Sequence, residues 1–97
     1  FEFDGKVVDF SSYEIRNNGK KRQLSQKEAK LLKLLIDKRH KVVSREEILE
    51  KVWGYDVYPS TRTIDNYIVE FRKFFEDDPR NPKYFLAVRG VGYRFAG

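Results

Sequence analysis

The stretch Ser60-Thr-Arg-Thr-Ile-Asp-Asn-Tyr-Ile-Val-Glu-Phe-Arg-Lys-Phe-Phe-Glu76 decides how the rest of the chain reads. On a helical wheel at about 100° per residue, Ile64, Ile68, Phe71 and Phe75 fall in one narrow apolar stripe. The opposite side carries Arg62, Asn66, Val69, Glu70 and Lys73, with Thr63, Tyr67 and Phe74 on one flank and Asp65 and Arg72 on the other. The stripe demands a core, and the outer face offers a mixed set of hydrogen-bonding side chains. Taken alone, this is an ordinary amphipathic surface helix. Its neighbours decide whether the outer face has a partner.

Working outward, four segments before this helix and one after it complete the plan. Ser44-Arg-Glu-Glu47 has the form of a capping box, opening a helix with Ile48, Leu49, Val52 and Trp53 at helical spacing and Gly54 at its end. Ser25-Gln-Lys-Glu28 is a second such box, followed by a broad apolar face (Ala29, Leu31, Leu32, Leu34, Leu35, Ile36) that predicts a buried helix to about His40. Val42-Val43 reads as a short extended link between the two. Residues 1 to 24 predict a small antiparallel meander, because Asn17-Asn18-Gly19 supplies the positive φ of a tight hairpin and Gly5 offers another turn. After the quoted helix, Tyr84 to Val88 and Tyr93-Arg94-Phe95 are strand-like, joined by the basic turn Arg89-Gly90-Val91-Gly92. The order is strands, three helices, then a closing hairpin with a cationic tip. That is the plan of an α+β winged helix-turn-helix, in which the third helix enters the major groove of DNA and the wing lies beside it.

Composition narrows the function further. Ninety-seven residues suit one domain with one core, and eight Phe, six Tyr and one Trp furnish that core without a cofactor. There is no Cys, so no disulfide framework, thiolate metal site or thiol nucleophile, which fits a reducing cytoplasm. His40 is the single histidine and predicts a surface or capping residue, since metal and catalytic sites need several convergent groups. No apolar run reaches the roughly 20 residues of a membrane span. Asp77-Asp78 sit beside a proline, Glu46-Glu47 fit helix capping, and no nucleophile–base pair is visible, so an enzyme is not expected. Gly90-Val-Gly92 is followed by a strand-like run rather than a helix, which excludes a dinucleotide fingerprint. The net charge of +5 and pI near 9.5 favour a polyanionic partner, and the excess positive charge lies downstream of Gly19.

Several blocks together, Arg45-Glu-Glu-Ile-Leu49, Val52-Trp-Gly54, Arg62-Thr-Ile-Asp65, Ile68, Arg72-Lys73 and Val88-Arg-Gly-Val-Gly-Tyr-Arg-Phe95, closely resemble the OmpR/PhoB-type DNA-binding domain of bacterial response regulators. The resemblance covers Leu24 to Phe95. It implies a C-terminal effector domain attached in the full-length chain to a receiver domain phosphorylated by a sensor kinase. It also implies head-to-tail dimers on direct-repeat DNA half-sites, no cofactor, and contact with RNA polymerase through the loop 54–60. By the same resemblance Arg45 and Arg62 meet phosphates at helix starts. Thr63, Asn66, Tyr67, Glu70, Arg72 and Lys73 face the groove or its backbone, and Arg89, with Gly90 and Gly92 easing close approach, enters a minor groove. Asn66 is the first choice for base reading, because an amide bonds bidentately to adenine. Arg72 and Lys73 are assigned to phosphate, and Tyr93 either bonds a phosphate or caps the core. Trp53 matches a family tryptophan that packs the second helix or brushes the DNA backbone.

The chain departs from the family at Val69 and Glu70, where many members carry basic residues, at Tyr67 in place of a common histidine, and at Ala87 in place of a common threonine. Glu70 repels phosphate unless it accepts from cytosine or pairs with Lys73. The competing reading of the same residues is a winged helix used mainly as a protein-interaction module, motivated by Val69, Glu70 and the aromatics of 54–60.

Overall fold

Two turns of like chemistry begin the chain. Asp4-Gly5 and Asn18-Gly19 each place two successive residues at positive φ (49° and 77°, 54° and 81°), the twist that two-residue hairpins require. They join β1 (Glu2–Phe3) to β2 (Lys6–Asp9) and β3 (Glu14–Asn17) to β4 (Lys20–Gln23), giving an antiparallel sheet in the order β1-β2-β3-β4. Between β2 and β3, Asp9 accepts from the Ser11 hydroxyl at 2.6 Å and from the backbone N–H of Ser11 and Ser12, so its carboxyl is lowered to about 2. The computed structural model describes residues 1–54 and 61–97.

Helix α1 (Gln26–Asp37) starts on the reciprocal capping box: Ser25 accepts from the Glu28 N–H, and the Glu28 carboxylate accepts from the Ser25 N–H at 2.9 Å. It ends earlier than the apolar pattern predicts. Lys38 caps it, and His40 takes a left-handed φ of 70° while its N–H donates to the Phe95 carbonyl. His40 thus serves the exit from the helix, with its side chain in solvent.

Val42–Ser44 is a full strand, β5, rather than a link. It pairs with β7 (Gly92–Phe95), which also pairs with β6 (Phe85–Val88), in the sheet order β5-β7-β6. Ser44 ends that strand and caps α2 (Arg45–Ile48) by accepting from the Glu47 N–H. The capping box is only half made here, since the Glu47 carboxylate turns to Lys38 and Lys51 instead. The helix widens into a π-type turn over Leu49–Trp53 and stops at Gly54, whose φ of 79° suits glycine.

Helix α3 (Thr61–Phe75) lays Ile64, Ile68, Phe71 and Phe75 into the core, each 0–1% exposed. Burying side chains of this size contributes roughly 1.5–3 kcal/mol apiece, which anchors the helix. Around the stripe, Phe85 packs against Phe71, Phe75 and Phe95 with ring centroids 5.2–5.7 Å apart. Phe3 meets Phe95 edge-on, bringing the first sheet onto the same core.

At the far end of α3, Glu76 is buried and accepts from the backbone N–H groups of Lys83, Tyr84 and Phe85 at 2.7–2.9 Å. One carboxylate therefore organises the loop that leads into the wing. Asn17 adds a bond to the Phe74 carbonyl at 2.8 Å, tying the first sheet to the last turn of α3.

Candidate nucleic-acid interface

Because the stripe is committed inward, Arg62, Asn66, Val69, Glu70 and Lys73 all stand exposed on the opposite side of α3. Thr63 and Tyr67 are half-buried on one flank, where the Tyr67 ring lies 5.3 Å from that of Trp53. Trp53 is itself half-buried against the core, so its packing role is plain. On the other flank Arg72 is half-buried and its Nε donates to the Phe85 carbonyl at 2.9 Å. Arg72 thereby fastens α3 to the wing strand, a duty the sequence did not signal.

Outer-face charge is partly balanced within the helix. Lys73 Nζ sits 3.5 Å from a Glu70 carboxylate oxygen, three residues back along the helix. Both side chains are at least half exposed, so the pair is weak, and its effect is to hold the carboxylate toward the ammonium. Arg62 carries its charge into solvent nearer the start of α3.

The wing lies beside this face and is tied to it by a cluster of three side chains. Arg45 reaches Asp65 of α3 at 3.1 Å, and the Tyr93 hydroxyl of β7 donates to the same Asp65 oxygen. The Arg45 guanidinium also lies over the Tyr93 ring, 5.1 Å from its centroid. Burial and the bond to Asp65 push the Tyr93 hydroxyl up to about 12, so it remains a neutral donor across the physiological range. Of the two roles open to Tyr93 in sequence, the structure places it in the packed one, at 5% exposure. Asp65, not singled out from sequence, is the shared acceptor. Its signal lay in the wheel position beside Arg72, but its partners are 20 and 28 residues away.

Backbone chemistry sets the wing tip. Gly90 has φ of 76° and Val91 N–H closes the turn onto the Val88 carbonyl, while the Val91 carbonyl accepts from the Arg45 N–H at 3.3 Å. Arg89, Gly90 and Val91 are exposed there. Gly92 differs from the expectation that it eases approach to a ligand. A Cβ at Gly92 would run into the Val43 carbonyl oxygen, so glycine is needed for β5 to pack against β7.

The surface thus presents a convex helix face, a cationic turn beside it and a rigid brace between. No group of three or more His, Cys, Asp or Glu among the described residues is placed to hold a metal ion. No helix among the described residues is long and apolar enough to cross a membrane. The loop expected to meet RNA polymerase lies, beyond Gly54, outside the described residues.

Comparison with known proteins now adds to this geometry. The family model described as transcriptional regulatory protein, C terminal, matches residues 19–95. The response regulator DrrB of Thermotoga maritima, described as an OmpR/PhoB homolog, is 35% identical with a TM-score of 0.85; the match covers 100% of this chain and 44% of DrrB. The DNA-binding domain of Bacillus subtilis CssR is 31% identical over 93% of this chain and 98% of its own, with a TM-score of 0.77. The DNA-binding domain of the response regulator AdeR, solved in complex with an intercistronic region, is 26% identical over 99% of this chain and 98% of its own, with a TM-score of 0.75.

Proposed function

This chain belongs to the family of C-terminal, DNA-binding domains of OmpR/PhoB-type transcriptional regulatory proteins, which are not enzymes, and from that premise we propose how it engages DNA. Helix α3 lies in the major groove, with Arg62, Asn66, Val69, Glu70 and Lys73 toward the duplex. An α-helix about 10–12 Å across matches a groove about 12 Å wide. The wing turn, residues 89–93, lies at the adjacent minor groove, with Arg89 directed to its concentrated negative potential. Arg45 and Arg62 meet phosphates, and Asn66 reads an adenine.

The observation that carries this reading is the complete division of α3, with its apolar stripe buried and its five opposite residues exposed beside a cationic turn. The brace Arg45–Asp65–Tyr93 supports it by fixing wing and helix relative to each other. In the intact protein, a receiver domain phosphorylated on aspartate governs the chain as part of a two-component relay in the bacterial cytoplasm. Two copies bind direct-repeat half-sites head to tail, and the segment 54–60 meets RNA polymerase.

The test is equilibrium binding to a duplex selected from a random pool, against a scrambled duplex, across a salt series. Selective binding that weakens linearly in log salt is expected, with Arg89→Ala lowering affinity and reducing the salt slope by about one. Equal binding to both duplexes, unaffected by Arg89→Ala, refutes the proposal.

A further inference from the structure

We propose that Val69 reads the C5 methyl group of a thymine, making α3 selective for an A·T pair at that position. This rests on the placement of α3 in the major groove and deepens it. Val69 is 42% exposed, and it is the exposed large apolar residue among the described side chains of α3. A single exposed valine is common on protein surfaces. Its surroundings give this one a direction.

Around the helix axis Val69 stands on the wing side of the outer face, between Asn66 and Arg72, with Lys73 one turn on. It forms the wing-side edge of the exposed arc, next to the half-buried flank of Asp65 and Arg72. A valine has no donor or acceptor, so it gains nothing from phosphate. In the major groove the apolar feature that distinguishes one base pair from another is the thymine methyl. Valine also carries a lower helix propensity than the straight-chain residues that suit an exposed position. At 42% exposure, packing among the described residues repays only part of that cost.

Glu70, the neighbour that most threatens a DNA contact, is drawn toward Lys73 at 3.5 Å. Asn66 precedes Val69 by three residues, an axial step of about 4.5 Å, against about 3.4 Å between successive bases. Asn66 on an adenine and Val69 on a thymine methyl are therefore compatible with neighbouring base pairs. The reading surface is matched to A·T pairs, where a basic residue at position 69 would seek guanine.

The experiment removes one methyl group at a time. A duplex selected from a random pool by the wild-type chain is remade with each thymine singly replaced by deoxyuridine, which lacks only the C5 methyl. Binding is measured for wild type and Val69→Ala. The variant keeps the fold, since alanine is the better helix former and the site is exposed, and a thermal melt verifies this. One replacement is expected to weaken wild type by about fourfold, the worth of one buried methylene, and to leave Val69→Ala nearly unchanged. If wild type binds selected over scrambled DNA but no thymine distinguishes it from Val69→Ala, the methyl contact is overturned while the groove placement stands. If wild type binds selected and scrambled DNA alike, the placement itself fails, and the proposal falls with it before any uracil duplex is tried.

Discussion

The two faces of α3 are built from the same fifteen residues and obey different rules. On the inner face Ile64, Ile68, Phe71 and Phe75 are sealed into the core, and their identity is dictated by volume and shape. On the outer face Arg62, Asn66, Val69, Glu70 and Lys73 are exposed, and Glu70 and Lys73 form a loose ion pair. The inner face determines where the helix is; the outer face determines what it meets. Substitutions should separate cleanly along that line, with stability responding on one side and DNA binding on the other.

The largest effect lies on the inner face. Phe71 is fully buried and packs at a tilt against Phe85, with ring centroids 5.6 Å apart. Phe71→Ala removes that ring and leaves a cavity, with an expected loss of about 3–5 kcal/mol. Against a total stability of roughly 5–15 kcal/mol this is severe, and a denaturant titration measures it directly. A loss below about 1 kcal/mol would mean that the stripe does not anchor α3, and the division between faces would collapse.

An intermediate effect belongs to the flank, where the two rules meet. Asp65 is half exposed, yet it serves the buried Tyr93 hydroxyl and the Arg45 guanidinium together. Asp65→Ala leaves that hydroxyl without its acceptor, at an expected cost of about 1–2 kcal/mol, moderated because water reaches the site. Comparing Asp65→Ala and Tyr93→Phe singly and together isolates the bond, and their effects should be less than additive. Independent, additive effects would show that the brace is incidental and that wing and helix are held by packing alone.

These differences also explain what could be read from the chain beforehand. The inner stripe and the exposed set were legible because helical periodicity is a local signal, and every residue assigned outward from the wheel is indeed exposed. The Ser25–Glu28 box was legible for the same reason: both partners lie within one turn. The Ser44–Glu47 box was only half right, because Lys38, nine residues upstream of Glu47, competes for its carboxylate. Val42–Ser44 did not reveal itself as a strand, since three residues cannot display alternation and its partner strand is some fifty residues away. Asp65, Arg72, Glu76 and Gly92 were opaque in kind. Each is explained by a backbone or side chain that only folding brings near. The outer face was thus visible as a surface, while the brace that aims it was not.

The smallest stability effect is expected at Glu70, and it tests the comparison from the other side. Its pairing with Lys73 at 3.5 Å is exposed on both partners, so Glu70→Ala should change stability by only about 0.2–0.5 kcal/mol. Its effect on DNA should be larger in proportion. Removing the carboxylate releases Lys73 from its intrahelical partner and deletes a charge that repels phosphate. Affinity for arbitrary duplexes should therefore rise, most strongly at low salt where screening is weakest. If instead Glu70 accepts a bond from cytosine N4, the variant loses preference at one position of the selected sequence while its general affinity changes little. A repeat selection with Glu70→Ala distinguishes the two. An unchanged preferred sequence with tighter, less salt-tolerant binding assigns Glu70 to electrostatic restraint, whereas a relaxed single position assigns it to base reading. A stability loss comparable with that of Phe71→Ala, in either case, would contradict the claim that this face is free of structural duty.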